Sequence, residues 1–140
     1  MFKAKEIMAQ PVITVTPDMP IYDAVRLLTA RTLSALPVVD EDLCLKGMLS
    51  EKDVLSLLYE HQDFSDKLVS DFMTPEVISF EVSDNLIDLC DCFETHRIRR
   101  IPITENGQLT GLVNRSDVID AILAIKHEVP DAQAHNHARS

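Results

Sequence analysis

Two short motifs place an acidic residue three positions after a small polar one: Ser50-x-x-Asp53 and Asn114-x-x-Asp117. This spacing has the form of a capping box, in which the two side chains satisfy free backbone N–H groups at the start of a helix. A helix N-terminus also attracts anions, because its free N–H groups and positive dipole end point at the ligand. The two roles are compatible, so the spacing alone leaves both capping and ligand binding open.

A cluster of arginines stands out in a chain whose net charge is −10. Four of the seven arginines are Arg97, Arg99, Arg100 and Arg115. Solubility, or pairing with Glu94 and Glu105, is one explanation, although exposed ion pairs contribute little to stability. The sharper interpretation is a phosphate clamp, since the planar fork of arginine fits phosphate geometry.

The cysteines and histidines are weaker candidates for chemistry. Cys90 and Cys92 lie two positions apart on a predicted helix, so their thiols point to different faces and favour core packing over metal binding. Together with Cys44 they fit reduced thiols better than a disulfide framework. His135-x-His137 lies in a polar tail without a third metal ligand. The sequence has no glycine-rich phosphate loop, metal cluster or nucleophile–base pair, so we expect neither a metal site nor an enzyme.

The composition predicts one soluble domain in the cytoplasm. The chain has 140 residues, of which 46% are hydrophobic, so it is able to bury a core. No window approaches the roughly 20 apolar residues that span a bilayer, and the N-terminus lacks the apolar stretch of a secretion signal. The acidic net charge disfavours a nucleic acid duplex as partner. It does not exclude a small anionic ligand, because local charge can oppose net charge.

The chain contains an internal repeat. At a shift of 65 residues the identical pairs are Met8 and Met73, Val12 and Val77, Ile13 and Ile78, Asp23 and Asp88, and Pro37 and Pro102. After a one-residue deletion the pairs are Leu45 and Leu109, Gly47 and Gly111, Asp53 and Asp117, and Val54 and Val118. Matches at a nearly constant shift indicate two copies of one structural unit.

Both copies are expected to begin with a strand and a helix. Runs of β-branched and aromatic residues predict strands at Val12 to Val15 and Val77 to Phe80, and Asp18 and Ser83 are the expected helix caps. Apolar residues at helical spacing then mark the buried faces of the helices. These residues are Ile21, Ala24, Val25 and Leu28 in the first copy and Leu86, Leu89, Cys90 and Phe93 in the second.

Two more strands and a helix complete each copy. The strands are expected at Leu36 to Val39, Leu45 to Leu49, Ile101 to Ile103 and Leu109 to Val113. The closing helices begin at Ser50 and Asn114, and their apolar faces are Val54, Leu57 and Leu58, then Val118, Ile119 and Ile122.

The predicted organisation is a first repeat over residues 1–59, a connector over 60–71, a second repeat over 72–126 and a polar C-terminal tail over 127–140. A single unit of this size would expose an apolar sheet face. Two copies cover each other, so we expect two βαββα repeats about a pseudo-two-fold axis. The fold class is α/β in the α+β sense, with small sheets packed against helices.

Two stretches in matching places carry a family resemblance. Residues 34–41 and 47–54 read Ser-Ala-Leu-Pro-Val-Val-Asp-Glu and Gly-Met-Leu-Ser-Glu-Lys-Asp-Val, and residues 98–103 and 111–118 read Ile-Arg-Arg-Ile-Pro-Ile and Gly-Leu-Val-Asn-Arg-Ser-Asp-Val. Over about residues 4 to 125 the chain resembles a tandem pair of cystathionine-β-synthase (CBS) domains, often called a Bateman module. No catalytic domain flanks the pair, so it resembles a stand-alone CBS-domain protein.

The resemblance implies an adenine-nucleotide site in the cleft between the copies. The family uses the acid of the motif for ribose, which corresponds to Asp53 with Ser50 here. It uses basic residues before the second-copy proline for phosphate, which implies Arg99 and Arg100. The adenine pocket of the family maps to Met8, Ile13, Leu33, Ser34 and Ala35.

A second, weaker cleft is implied for Asp117, Asn114, Arg115 and Ile78. Asn114 departs from the Ser or Thr of the family pattern, and the segment Thr32 to Ala35 offers no cation to a phosphate. The two clefts are therefore expected to be unequal.

The resemblance implies a regulatory module that binds AMP, ADP or ATP and passes the signal to a regulated protein. It implies no obligatory cofactor, and the sequence does not choose between these nucleotides and S-adenosylmethionine. A homodimer is expected through the exposed parts of the closing helices. The alternative is a ligand-free CBS module that serves dimerisation and interaction only.

Overall fold

The computed structural model describes residues 2–59 and 65–128, so the predictions on the His-containing tail and on the first part of the connector lie outside the described residues. In chain order the helices and strands are α1 (Ala4–Ile7), α2 (Ile21–Arg31), β1 (Ala35–Val39), β2 (Leu45–Ser50), α3 (Glu51–Leu55), β3 (Phe80–Glu81), α4 (Leu86–Thr95), β4 (Arg100–Glu105), β5 (Gln108–Asn114) and α5 (Arg115–Glu128). Short 3₁₀ turns occupy Ser56–Tyr59 and Val69–Asp71.

Each repeat packs helices on a small sheet, as the sequence predicts. In the first repeat β1 pairs antiparallel with β2, and in the second the order is β3-β4-β5, with β3 parallel and β5 antiparallel to β4. Two separate buried clusters form the core, one centred on Leu36 and Leu49 and the other on Ile101 and Val113. The strands predicted at the two Pro-containing segments and at the two Gly-containing segments are confirmed.

The first predicted strand of each copy is largely wrong. Residues 12–14 and 77–79 form no strand, and only Val15, through a single bridge to Val38, and β3 reach a sheet. The β-branched residues fit a strand, but each run meets the edge of its sheet only at its end. The pattern of β-branched residues does not show at which residue the pairing with the sheet begins.

The predicted helix caps are also displaced by two residues. Pro20 precedes α2 without a side-chain cap, and Asn85 caps α4 by accepting a hydrogen bond from the N–H of Asp88 at 3.0 Å. Asp18 instead accepts from the hydroxyl of Thr16. The helices begin at the apolar residue that enters the core, and the cap is whichever residue stands just before it.

The two repeats exchange their first segments. The chain before residue 10 packs on the second repeat: the N–H of Ala4 donates to Asp84 and Ala9 pairs with Leu112. The chain before residue 75 packs on the first repeat in the same way, since the N–H of Val69 donates to Met19. Ala4 and Val69 are both fully buried, so each core is completed by a residue from the other side of the repeat boundary.

The repeated glycines are explained by this exchange. A Cβ on Gly47 would meet the carbonyl oxygen of Thr74 at 2.7 Å and the sulfur of Met73 at 2.9 Å. A Cβ on Gly111 would meet the side chain of Met8. The duplicated Gly and Met residues therefore form matching contacts, one in each direction across the pseudo-two-fold axis.

The same axis passes near Cys44 and Gln108, which form a bridge. On its two sides the N–H of Leu45 donates to the carbonyl of Gly107, and the N–H of Leu109 donates to the carbonyl of Leu43. The two sheets thus meet edge to edge through a reciprocal pair of hydrogen bonds. Within the described ranges, no helix is both long enough and apolar enough to cross a bilayer.

Candidate functional site

A cavity of about 630 Å³ opens between the two repeats. Its residues from the first repeat are Ser34, Ala35, Met48, Ser50, Glu51, Lys52 and Asp53. Those that follow the connector are Thr74, Glu76, Val77, Ile78, Arg97, Ile98, Arg99 and Arg100. This size is typical of small-molecule sites. The cavity brings together the predicted ribose and phosphate residues Ser50, Asp53, Arg99 and Arg100.

Asp53 is held in place by three hydrogen bonds. Its Oδ2 accepts from the backbone N–H of Ser50 at 2.9 Å and from the Ser50 hydroxyl at 3.0 Å. Its Oδ1 accepts from the hydroxyl of Thr74 at 3.3 Å. The capping box predicted from the spacing is therefore formed. A carboxylate has about four acceptor positions, so Oδ1 retains capacity for a ligand hydroxyl.

The arginines of the cavity have no acidic partner within the described residues. The ion pairs found there join Arg26 to Asp23 and Lys46 to Asp40. Arg99 is exposed and Arg100 is half-buried, and neither contacts a carboxylate within 4 Å in that part of the chain. Neither arginine therefore forms the ion pair with Glu94 or Glu105 that the sequence left open. Their positive charge is available to an anion in the cavity.

The local fold brings these charges together. Asp53 lies in the first turn of α3, which directly follows β2, and Arg100 is the first residue of β4. Because α3 spans only five residues, we assign the positive charge of the cavity to its basic side chains and not to the helix dipole.

Sequence reasoning missed Thr74. Its hydroxyl reaches Asp53 across a sequence separation of 21 residues, and its backbone pairs with Met48 in both directions. The signal available was the repeat itself: Thr74 aligns with Ala9, so the hydroxyl exists in one copy only.

Ser34 and Ala35 line the cavity as expected, and the buried hydroxyl oxygen of Ser34 has no hydrogen-bond partner in the described structure. Leu33 lies instead in a neighbouring groove of about 540 Å³ between α2 and α3. Ser34 and Glu51 line both spaces and form part of the wall between them.

Three further residues lie elsewhere than the family resemblance implied. Ile78, placed with Asp117 from the sequence, lines the cavity of Asp53. Met8 lies outside this cavity against Gly111, and Ile13 packs on the core of the first repeat without lining it. The reason is the exchange of segments, which carries the chain after Thr74 along the first repeat and the chain before Gln10 along the second.

The second motif is only partly equivalent to the first. The N–H of Asn114 donates to Oδ2 of Asp117 at 2.7 Å, but Oδ1 of Asn114 is buried without a partner in the described structure. Arg115 is exposed at the start of α5, and none of these three residues lines the cavity of Asp53.

The cysteines serve packing. Cys92 is buried in the core of the second repeat, and Cys90 packs against it. Burial raises the pKa of both thiols, and the neighbouring Asp91 and Glu94 raise the pKa of Cys90 further. Among residues 2–59 and 65–128, no group of three or more His, Cys, Asp or Glu side chains is placed to hold a metal ion.

Comparison with known proteins gives a consistent picture. The model of the CBS domain family matches the chain twice, over residues 4–60 and 69–124. The CBS domain-containing protein YhcV of Bacillus subtilis is 31% identical over 118 residues, with 84% of each chain covered. Inosine-5'-monophosphate dehydrogenase of Staphylococcus haemolyticus is 34% identical over 120 residues. The chain spans only 23% of that enzyme's length.

Solved structures share the fold over nearly their whole length. The CBS-pair protein CBSX2 from Arabidopsis thaliana superposes with a TM-score of 0.82 at 28% identity, covering 91% of this chain and 99% of that one. A crystal structure of CBSX2 in complex with AMP gives a TM-score of 0.78 at 30% identity, covering 90% and 99%.

Proposed function

The chain belongs to the CBS domain family, and on that premise we propose that it is a regulatory module that binds an adenine nucleotide between its two repeats. The ligand class is AMP, ADP or ATP, held in the cavity that contains Asp53. The module carries out no catalytic step of its own. Its output is a change in the packing of the two repeats, which a regulated protein reads.

The observation that carries this proposal is the pairing of unlike groups across the cavity. Asp53 comes from the first repeat and offers acceptor capacity at Oδ1, whereas Arg99 and Arg100 come from the second and have no carboxylate within 4 Å in the described part of the chain. A ribose diol needs an acceptor and a phosphate needs cations. One nucleotide would thus contact both repeats. The AMP complex of CBSX2, at 30% identity, supports the ligand class.

Bridging makes the module able to signal. A ligand shifts the arrangement of the repeats only by its difference in affinity for two arrangements. A nucleotide that contacts Asp53 and Arg100 at the same time favours the arrangement of the repeats in which both contacts form. The reciprocal contacts of Gly47 with Met73 and Gly111 with Met8 are the packing that such a shift would alter.

The test compares AMP with adenosine on Arg100→Ala. We expect AMP affinity by calorimetry to fall about 10-fold or more, because a charge-assisted hydrogen bond contributes roughly 1.5–3 kcal/mol. Adenosine, which lacks the phosphate, should change little. Arg31→Ala is the matched control, since Arg31 is exposed and lies outside the cavity. Equal loss of AMP and adenosine affinity in Arg100→Ala would contradict a contact between Arg100 and the phosphate.

One observation favours a second candidate function, self-association without a ligand. The helix α5 leaves Ile119, Ile122 and Leu123 about half exposed, at 57%, 50% and 52%. A row of apolar side chains on one helix is suited to an interface. Binding of no nucleotide, together with a stable dimer in solution, would favour this candidate over the sensor.

A further inference from the structure

Two cations besides Arg99 and Arg100 line the cavity of Asp53. Lys52 lies beside Asp53 in the first turn of α3, and Arg97 precedes β4 by three residues. Both line the cavity and both are exposed. With Arg99 and Arg100 they make four cations around one space.

Lys52 and Arg97 form no ion pair with an acidic side chain of the described residues. Neither Lys52 nor Arg97 is within 4 Å of a carboxylate among residues 2–59 and 65–128. By contrast, Lys46, outside this cavity, pairs with Asp40 at 3.6 Å. Three acids also line the cavity, but Asp53 is engaged with Ser50 and Thr74. The remaining two, Glu51 and Glu76, are exposed to solvent.

The repeat shows that these four cations are particular to one cleft, whereas the other cleft has the cation Arg115 at the position of Glu51. The positions equivalent to Lys52, Arg97, Arg99 and Arg100 are Ser116, Thr32, Ser34 and Ala35. Four cations thus align with four uncharged residues. This difference in charge between the two clefts does not come from the exchange of Ser50 for Asn114, since both residues are uncharged. It affects the side of the cleft that is proposed to hold phosphate.

We propose that the cavity selects nucleoside polyphosphates over the monophosphate, with Lys52 and Arg97 contacting phosphates beyond the one held by Arg99 and Arg100. This inference rests on the proposed function and narrows its ligand. Each added phosphate brings negative charge, and four cations compensate its loss of hydration better than two do. The preference is electrostatic, so it weakens with salt.

The experiment is calorimetry with ATP, ADP, AMP and adenosine on the intact protein, in a chelating buffer without divalent ions. We expect ATP to bind about 10-fold or more tightly than AMP. Arg97→Ala and Lys52→Ala should each lower ATP affinity by about 3- to 10-fold and leave AMP within about twofold, given the strength of partly exposed charge contacts.

Matched controls separate a local contact from a change in net charge. Arg31→Ala and Lys5→Ala remove the same charge at exposed positions outside the cavity and should leave the ratio of ATP to AMP affinity unchanged. ATP and AMP affinities within twofold of each other would overturn this inference and leave the proposed function intact. So would an effect of Arg97→Ala no larger than that of Arg31→Ala. Binding of no adenine compound would overturn both.

Discussion

In the proposed function, Asp53 serves structure and ligand at once. Oδ2 closes the capping box with Ser50, and Oδ1 meets the hydroxyl of Thr74 in the cavity. The same side chain therefore stabilises the start of α3 and presents an acceptor whose position is already set. Such preorganisation lowers the cost of fixing a ligand.

Replacing Asp53 and its repeat equivalent separates these two roles. Asp53→Ala and Asp117→Ala each remove a carboxylate that accepts a hydrogen bond at a helix start. Each should lower the free energy of unfolding by about 0.5–2 kcal/mol, as losses of caps do. Only Asp53→Ala should also reduce AMP affinity, by about 10-fold or more, because hydrogen bonds to a charged acceptor are lost.

Chemical denaturation and calorimetry on the same samples measure both quantities. Equal loss of stability with unchanged AMP affinity in Asp53→Ala would reduce Asp53 to a capping residue. A larger loss of affinity in Asp117→Ala would move the principal site to the other cleft.

At the scale of elements, the exchanged segments determine where the cleft lies. The segment that ends at Thr74 is fixed to β2 by two backbone hydrogen bonds with Met48, at 2.8 and 2.9 Å. The chain that follows, including Val77 and Ile78, forms one wall of the cavity. Close approach of this segment to β2 requires a residue without a Cβ at Gly47.

Gly47→Ala should therefore destabilise the protein more than Gly111→Ala. The new methyl group on residue 47 meets the backbone oxygen of Thr74 at 2.7 Å, which moves only with its segment. On residue 111 it meets the side chain of Met8, whose sulfur and Cγ are able to turn away and whose Cβ, at 2.9 Å, is less close than the Thr74 oxygen. We expect a loss of about 1–3 kcal/mol for Gly47→Ala, typical of overpacking, and less for Gly111→Ala.

Thermal or urea unfolding of the two variants measures this difference, and AMP calorimetry on Gly47→Ala shows whether the cavity is disturbed. A Gly47→Ala variant as stable as the wild type would mean that the exchanged segment does not hold the position described.

Elements with strong local signals were predictable from the sequence. The helix after Ser50, the strands β1, β2, β4 and β5, and the repeat that relates them follow from spacing and periodicity. The family resemblance supplied the grouping of Asp53 with Arg99 and Arg100, which the cavity brings together. Each of these features depends on residues within one repeat or on a motif present twice.

The exchange of segments was not predictable from these patterns. Ala4 and Ala9 read as ordinary residues of the first repeat, and their contacts with Asp84 and Leu112 lie about eighty to one hundred residues along the chain. This is why the sequence did not place Ile78 beside Asp53 or Met8 against Gly111, and why Thr74 was overlooked. The boundaries predicted at residues 59 and 71 describe the sequence repeat, whereas the two cores share residues across them.

At the scale of the whole molecule, α5 presents its apolar residues to solvent. Val118 and Ala121 enter the core, while Ile119, Ile122 and Leu123 remain about half exposed. We expect the protein to form a homodimer that covers this face. Ile122→Lys should shift light scattering at high protein concentration from dimer toward monomer, because it buries a charge in an apolar contact.

The matched control is Ile87→Lys, which changes an exposed isoleucine on α4. A wild-type protein that stays monomeric at high concentration would contradict the expected dimer. So would equal effects of the two substitutions. The cavity of Asp53 does not include α5 residues, so the dimer and the proposed ligand site are tested independently.

The proposed function requires one nucleotide to bind between two repeats that share their segments. Its most direct test is a crystal structure of the protein with AMP. We predict that the ribose hydroxyls lie within hydrogen-bond distance of Asp53, about 2.5–3.2 Å, and that the phosphate contacts Arg99 or Arg100. AMP bound only beside Asp117, or bound in the cavity with its phosphate away from both arginines, would contradict it.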